Sequence, residues 1–245
     1  MNKFATLLAF LAITATAFAA DTSLADSLYA AGQYARAADL YRTELKTNPS
    51  ADLYYNLGNA CFKQGDLAQS ILAYERCLRL DPGYDDARFN LAFAQSRITD
   101  KIPADEGFFL ANWLRDVRDR VSVSAWLWTS VVCFWLMLVG ILAFLLCKNT
   151  VLRKLGFFGA LLFLVFCVYT GINAGSLDAR NAERAEAVIT RGIVNAKSSP
   201  SAAGTDLFTL HEGTSVTITE TVSDWVNIHV GQHDGWVPAA CLERI

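Results

Sequence analysis

Two long stretches without a charged residue constrain this sequence more than any other feature. They run from residue 122 to 147 and from residue 155 to 177. About 20 apolar residues in a helix, each rising about 1.5 Å, cross the hydrocarbon core of a bilayer. The chain is 53% hydrophobic and 18% charged, and its apolar excess collects in these stretches and at the N-terminus. Both stretches are therefore predicted to be transmembrane helices.

The segment between the two stretches is short and basic. Residues 148–154 contain Lys148, Arg153 and Lys154 and no acidic residue. Short loops rich in Lys and Arg stay in the cytoplasm, so the regions on both sides of the helical pair are expected to be exported. We therefore expect a protein of the inner (cytoplasmic) membrane, with its N- and C-terminal domains in the periplasm and the lipid bilayer as one partner.

Residues 1–19 have the features of a signal peptide. Lys3 supplies the positive charge, and an apolar core over residues 4–18 is too short to cross a bilayer comfortably. Residues 17–19 fit the small-x-small rule for cleavage, which places the mature start at Ala20. An uncleaved anchor is the alternative, and in either case the region that follows is exported.

Residues 20–100 contain an internal repeat with an offset of 33 residues. Its members are Gly32 and Gly65, Ala37 and Ser70, Tyr41 and Tyr74, and Pro49 and Pro82. The block from residue 53 to 82 resembles the tetratricopeptide consensus, and residues 85–98 repeat its first helix only. Helical pairs of this kind cannot bury their apolar faces alone and therefore stack. The region is predicted to be a solenoid of about two and a half tetratricopeptide repeats.

In the tetratricopeptide family, the first helix of each repeat lines a concave face that binds extended segments of partner proteins. Asn side chains suit such a face because an amide both donates to and accepts from a peptide main chain. The alternative is that these residues only follow the consensus and hold the solenoid together. The resemblance places the following residues on that face: Tyr55, Asn56, Asn59, Phe62, Lys63, Phe89, Asn90, Phe93 and Arg97.

Residues 107–120 are predicted to form an amphipathic helix. Apolar residues recur there at helical spacing, opposite four charged side chains; they are Phe109, Leu110, Trp113, Leu114, Val117 and Val121. This pattern is typical of a helix that lies on the membrane surface. An ordinary helix packed on the repeats is the alternative.

The second apolar stretch contains Gly171 and Gly175, which have the spacing of a helix-contact motif. A chance match in a glycine-containing helix is the alternative. The motif predicts at most a contact face within the membrane.

Residues 186–245 are predicted to form a small β-barrel or sandwich, because short β-branched segments alternate there with turn signals. The segments 224–226 and 235–242 resemble the last strands and the 3₁₀ turn of SH3 domains. In that family, residues at the positions of Trp225 and Pro238 help to form the groove for polyproline ligands. They are the candidate binding surface of this domain, and a purely structural barrel is the alternative.

Two further residues refine the SH3 comparison. Cys241 stands where the family has a Tyr of the groove. A groove for PxxP ligands needs such aromatic walls, which argues against that ligand class. We expect Trp225 to be exposed and Trp236 to lie in the core.

The sequence predicts no enzyme. It has no GxxxxGK[ST], HExxH or GxSxG motif, so no catalytic residue is assigned. The six cysteines form no CxxC pair and all three histidines lie in the last domain, so neither a metal site nor a cofactor is expected. Cys61 and Cys77 are predicted to be free thiols. A net charge of −3 does not indicate nucleic-acid binding.

The fold class that emerges is a multidomain membrane protein: a tetratricopeptide solenoid, a two-helix transmembrane hairpin and an all-β SH3-like barrel. This order resembles the tetratricopeptide member of the Bat-type proteins of aerotolerance operons. The resemblance is carried by residues 54–59, 74–82, 85–92, 100–102, 197–201 and 204–214.

The Bat-type resemblance implies a periplasm-facing role beside von Willebrand A-type membrane proteins and a MoxR-type ATPase. We therefore expect a non-enzymatic adaptor or scaffold that binds other membrane proteins, with a role in stress or aerotolerance. The alternative is a cell-envelope anchor whose SH3-like domain binds peptidoglycan.

Overall fold

The computed structural model describes residues 24–100, 109–183 and 185–245. The predicted signal peptide and the first two residues of the predicted amphipathic helix lie outside this part of the chain. The chain divides into two compact units. Of the described residues, the first unit joins 24–100 to 185–245, and the second comprises 109–183.

The N-terminal part of the first unit is a helical array that fits tetratricopeptide repeats. Its helices are α1, described over residues 24–30, α2 (Tyr34–Leu45), α3 (Ala51–Gln64), α4 (Leu67–Leu80) and α5 (Asp85–Gln95). The helices α3 and α4 approach closely at Gly58, where a Cβ atom would lie 2.5 Å from the Tyr74 ring. Ser70 Oγ donates to the Gly58 carbonyl oxygen at 3.0 Å. Small residues at these positions therefore set the spacing of the pair.

The boundaries of α3 and α4 follow from local capping. Ser50 Oγ accepts from the Leu53 amide and starts α3, and Asp66 accepts from the Gln69 amide and starts α4. Between them, Gly65 ends α3 with a φ of +92°, a left-handed conformation that favours glycine.

The C-terminal part of the first unit is an antiparallel sheet that fits an SH3-like fold. Its order is β3-β2-β6-β5-β4-β1-β7. Buried residues from six of the strands form one cluster, so the sheet curls around a single core. The strands are β1 (Ala185–Ile189), β2 (Ile193–Lys197), β3 (Asp206–His211), β4 (Ser215–Val222), β5 (Trp225–Val230), β6 (His233–Pro238) and β7 (Leu242–Arg244).

Strand β1 is buried on both faces. Successive side chains of a strand point to opposite sides. Ala187 and Ile189 belong to the core of the sheet, whereas Val188 belongs to the cluster built by α4 and α5. The sheet therefore packs directly on the repeat helices.

The second unit contains α6 (Phe109–Asp119), α7 (Val123–Leu146) and α8 (Thr150–Glu183). By length and composition, Val123–Leu146 and Thr150–Leu177 are able to cross a membrane. The turn between α7 and α8 is shorter than the predicted loop 148–154, because α8 already begins at Thr150. Asn149 Oδ1 accepts from the Val151 amide at 2.8 Å and so caps this helix.

The helices α7 and α8 approach each other most tightly at two glycines. A Cβ atom on Gly140 would lie 2.9 Å from the Gly156 carbonyl oxygen, and one on Gly156 would lie 2.7 Å from the Gly140 carbonyl oxygen. At the predicted motif, a Cβ on Gly171 would meet only Ser130 Oγ at 3.8 Å, and one on Gly175 would meet nothing within 4 Å. The close contact therefore uses Gly140 and Gly156 rather than the predicted pair.

The N-terminal end of α7 is tied to its neighbours by Trp126. Its Nε1 atom donates to the Arg118 carbonyl oxygen at 3.2 Å, and its ring meets Tyr169 edge-on at 6.0 Å. On α6, Trp113 is 57% exposed and Leu114 is also exposed. Part of the apolar face predicted for this helix is thus open within its unit.

Candidate functional site

The predicted groove residues lie on two helices. Five of them are on α3, three are on α5, and Arg97 follows the end of α5. Asn56, Asn59 and Asn90 are half-buried, whereas Lys63 and Arg97 are exposed. Eight of the nine residues therefore lie on α3 and α5, and side chains of these two helices meet there.

Asn59 and Asn90, the amide pair, join α3 to α5. Asn59 Oδ1 accepts from Asn90 Nδ2 at 2.9 Å and from the Tyr74 hydroxyl at 2.7 Å. Asn90 Nδ2 also lies 3.5 Å from the Tyr55 hydroxyl. Within the described residues, Asn59 Nδ2 and Asn90 Oδ1 have no hydrogen-bond partner. The pair therefore contributes to folding and still presents one donor and one acceptor.

An aromatic and cationic rim lies beside the amide pair. The Phe62 and Phe93 rings are 5.6 Å apart, and the Arg97 guanidinium lies 4.8 Å from the centre of the Phe93 ring. Phe89 is 72% exposed and Phe93 is 42% exposed. Large apolar side chains that are this open on a folded surface are typical of interaction sites.

A second aromatic group lies at the other end of α3. The Tyr55 and Tyr84 rings are 5.1 Å apart, and the Tyr84 hydroxyl donates to Asp52 at 3.0 Å. Burial, followed by the hydrogen bond and the charge of Asp52, raises the pKa of Tyr84 to about 12. Tyr84 therefore remains a neutral hydroxyl at physiological pH and acts only as a hydrogen-bonding and packing residue.

The SH3-like candidate residues lie on one face of the sheet. Trp225 is directly opposite Pro238, and Asn227 is directly opposite Trp236, on the paired strands β5 and β6. All four are half-buried. The expectation that Trp236 lies in the core was wrong, because it alternates with the core residue Val237 and faces the other way. Asn227 Oδ1, although shielded, has no partner within the described residues.

Sequence reasoning missed the docking of the sheet on the repeat helices. Asp100 accepts from the His211 amide at 2.7 Å, from His211 Nδ1 at 2.7 Å and from Thr214 Oγ1 at 2.8 Å. Burial raises the pKa of Asp100, but these hydrogen bonds together outweigh it and hold the pKa below its usual value. Because an ionised carboxylate only accepts, His211 Nδ1 carries the proton.

The docked surface has two further parts. Arg76 on α4 pairs with Glu243 at 3.0 Å and also donates to the Arg244 carbonyl oxygen. At Gly213, a Cβ atom would lie 2.7 Å from Ile98, so the β3–β4 turn approaches the repeats closely. These contacts join residues more than 100 positions apart, so no local sequence pattern predicts them.

An acidic pair lies at the same interface. Burial first, and then the charge of Glu186 on β1, raises the pKa of Glu75 to about 7, while Arg88 on α5 opposes the shift. Gln95 Nε2 lies 3.5 Å from a Glu75 carboxylate oxygen. The protonation state of Glu75 therefore bears on the docking of the two domains.

The structure gives no support for a metal centre. Within residues 24–100, 109–183 and 185–245, no group of three or more His, Cys, Asp or Glu side chains is placed to hold a metal ion. Cys61 and Cys77 are buried free thiols in two different clusters.

Comparison with known proteins identifies both kinds of module. A tetratricopeptide repeat profile matches residues 22–85, and a bacterial SH3 domain profile matches residues 193–243. Both are classes of module that typically bind other molecules and do not catalyse reactions.

Two curated relatives are peroxisomal targeting signal receptors. The protein of Candida glabrata is 32% identical over 98 residues, which cover 40% of this chain and 17% of that protein. The protein of Kluyveromyces lactis is 30% identical over 92 residues, which cover 37% of this chain and 16% of that protein. The chain thus spans about a sixth of the length of these relatives.

Proposed function

We propose that this chain is a non-enzymatic adaptor of the inner membrane. Its repeat groove captures an extended segment of a partner protein, and the two apolar helices hold the groove at the membrane. The single observation that carries the proposal is the open rim of Phe89 and Phe93 beside the amide pair Asn59 and Asn90. This rim supplies apolar contact area, and the amide pair supplies polar specificity.

The free groups of the amide pair match the chemistry of a peptide main chain. Asn59 Nδ2 is a donor and Asn90 Oδ1 is an acceptor, so together they complement one C=O and one N–H of an extended segment. The side chains of that segment then meet Phe89 and Phe93, while Lys63 and Arg97 favour acidic or polar groups nearby. A protein segment fits this arrangement better than a small metabolite does, because Phe89 and Phe93 are exposed on the surface rather than buried.

The chain connectivity supports a hairpin with both domains on one side of the membrane. Asp100 and Ala185 belong to the same compact unit, although the apolar segment lies between them in sequence. A single folded unit cannot straddle a bilayer, so the segment must cross it an even number of times. The basic residues 148–154 then lie in the cytoplasm, and the repeats and sheet lie in the periplasm.

The topology is tested with alkaline phosphatase fusions. Fusion after Ile245 is expected to give active enzyme, and fusion within residues 148–154 is expected to give inactive enzyme. The reverse pattern would contradict the periplasmic location of the domains.

The partners that the Bat-type resemblance implies are von Willebrand A-type membrane proteins, in a complex with a MoxR-type ATPase that acts in stress or aerotolerance. The names of the two curated relatives describe receptors for a targeting signal, which is consistent with recognition of a protein segment. A groove that takes an extended protein segment suits such a complex.

The groove is tested by substitution of its most open residue. Phe89→Ala should weaken capture of the von Willebrand A-type partner by about tenfold, which corresponds to about 1.4 kcal/mol. Leu80→Ala is the matched control, because Leu80 is also exposed and apolar but lies on α4. The substitution of both Asn59 and Asn90 by Ala is a weaker test, since it also removes the hydrogen bonds that join Tyr74, α3 and α5. Equal capture by the Phe89 and Leu80 variants would contradict the groove assignment.

A cell-envelope anchor is the second candidate function. It is favoured by the shared face of Trp225, Asn227, Trp236 and Pro238, since aromatic residues beside a shielded amide suit a glycan or peptide stem. The docking contacts described above come from β1, β7 and the β3–β4 turn and not from these four residues. Retention of the purified full chain on peptidoglycan sacculi, abolished by Trp225→Ala and unaffected by Phe89→Ala, would support the anchor over the adaptor.

A further inference from the structure

The turn of the helical hairpin contains a cleft of about 350 Å³. It lies between the C-terminal end of α7 and the first turns of α8. Its lining residues are Phe144, Thr150, Arg153, Lys154, Phe157 and Phe158.

Two lining residues of the cleft are cationic. The Arg153 guanidinium lies 5.3 Å from the centre of the Phe144 ring, which holds this charge at the cleft. Lys154 lines the same cleft, and residues 148–154 contain no acidic side chain that would neutralise them. The orientation of a hairpin requires only that such charges lie in the loop. Their placement around a common cleft goes beyond that requirement.

Three lining residues of the cleft are aromatic. The Phe144 and Phe157 rings are 5.7 Å apart, and the Phe157 and Phe158 rings are 5.4 Å apart. Phe157 and Phe158 are exposed and continue into the apolar surface of α8. The cleft thus combines two cations with exposed aromatic rings, which together complement an amphiphile with an anionic head.

We propose that this cleft binds an anionic phospholipid of the cytoplasmic leaflet. The phosphodiester lies between Arg153 and Lys154, where charge-assisted hydrogen bonds form, and the Thr150 hydroxyl offers a further donor. An acyl chain lies along Phe157 and Phe158. Inorganic phosphate could use only the two cations, so the aromatic rings select a lipid over a free anion. The inference rests on the proposed membrane hairpin.

The test uses the purified full chain in nanodiscs of phosphatidylcholine that contain a tenth of phosphatidylglycerol or cardiolipin. Native mass spectrometry measures the anionic lipid that stays bound after release from the disc. The wild-type chain is expected to retain it selectively over phosphatidylcholine, and the double variant R153Q/K154Q is expected to retain at least fivefold less. The matched control is K46Q/R191Q, which removes two exposed cations from the first unit.

Two further arms separate the alternatives. Phe157→Ala keeps both cations and is expected to lower retention of the lipid, whereas addition of millimolar inorganic phosphate is expected to leave it unchanged. Equal retention by R153Q/K154Q and by the control, or full displacement by phosphate, would overturn the proposal. Flotation with vesicles and resistance to carbonate extraction test the hairpin separately. A chain that floats but shows no lipid selectivity overturns the cleft alone, and a chain that does not float overturns the membrane hairpin as well.

Discussion

The carboxylate of Asp100 holds both the backbone amide and the ring Nδ1 of His211, each at 2.7 Å. These two residues are 111 positions apart, and the entire apolar segment lies between them in sequence. Their contact joins the end of the repeat array to the β3–β4 turn. The repeats and the sheet therefore form one body, although the two long apolar helices separate them in sequence.

Removal of the Asp100 carboxylate should loosen the sheet from the repeats. Asp100→Ala leaves the His211 amide and the Thr214 hydroxyl without their acceptor, at an expected cost of about 2–4 kcal/mol. Hydrogen exchange of the full chain in detergent should show faster exchange in β3 and β4. Asp234→Ala is the control, because Asp234 makes a similar contact with His229 at 2.8 Å but both side chains are exposed. Equal exchange in the two variants would contradict a docking role for Asp100.

Glu75 should make the first unit less stable at alkaline pH. Its pKa is about 7 in the folded chain and near 4.5 in the unfolded chain, so the folded state binds the proton more tightly. This contribution to stability is complete below about pH 4.5 and is lost as the pH rises through about 7. Thermal unfolding of the full chain in detergent should show a Tm several degrees lower at pH 8 than at pH 5.

Substitution of this residue isolates its contribution. Glu75→Gln should flatten the dependence of Tm on pH between 5 and 8, whereas Glu220→Gln, on an exposed position of β4, should not. Asp100 does not affect the comparison between pH 5 and 8. Its pKa is lowered in the folded chain, so its contribution to stability is lost only at more acidic pH. If Tm depends on pH in the Glu75 variant as it does in the wild-type chain, another group controls that dependence.

Gly140 should be the sensitive position of the hairpin. Gly140→Ala introduces a Cβ atom 2.9 Å from the Gly156 carbonyl oxygen, so the helices must separate, at a cost of about 1–3 kcal/mol. Gly159→Ala is the control, because nothing lies within 4 Å of its Cβ position. In detergent, Gly140→Ala is expected to lower the midpoint of thermal unfolding, and Gly159→Ala is expected to leave it unchanged. Equal midpoints would indicate that the helices do not pack at these glycines.

Cys61 and Cys77 should remain free and unreactive in the folded chain. Burial, partly opposed by Arg42 in the first case, raises their pKa values to about 11 and about 12. Because the thiolate is the reactive species, alkylation at pH 8 should be slower than for a free thiol by a factor of about 100 or more. Mass spectrometry after brief alkylation should find both unlabelled until the protein unfolds. Rapid labelling, or a bridge between them, would contradict the packing of α3 and α4.

Much of the architecture was predictable because its signals are local. The offset of 33 residues and the paired glycines Gly32 and Gly65 predict the repeat helices, and the structure adds the caps at Ser50 and Asp66. The two uncharged stretches likewise predict two long apolar helices. The alternation along β5 and β6 predicts strands, and the bacterial SH3 domain match agrees with the SH3-like interpretation.

Other features were not predictable because they depend on contacts between distant residues. In the sequence, Val188 has the pattern of an ordinary strand residue. Both faces of β1 are buried because Val188 packs on α4, which is distant in sequence. Trp236 was assigned to the core although its neighbour Val237 takes that side of the strand. The helix contact at Gly140 and Gly156 had a detectable signal, since Gly156 and Ala160 repeat the small-x-x-x-small spacing. The pairing of residues on α3 and α5 depends on the stacking of the repeats.

The central claim is that the groove of α3 and α5 holds a segment of a neighbouring membrane protein. It is tested most directly with a photo-crosslinking amino acid at position 89 of the full chain in native membranes, and at exposed Thr43 on α2 as the control. The account predicts a protein adduct from position 89 that contains a von Willebrand A-type membrane protein and is absent from position 43. An equal yield from both positions, or an adduct with peptidoglycan in place of protein, would contradict it.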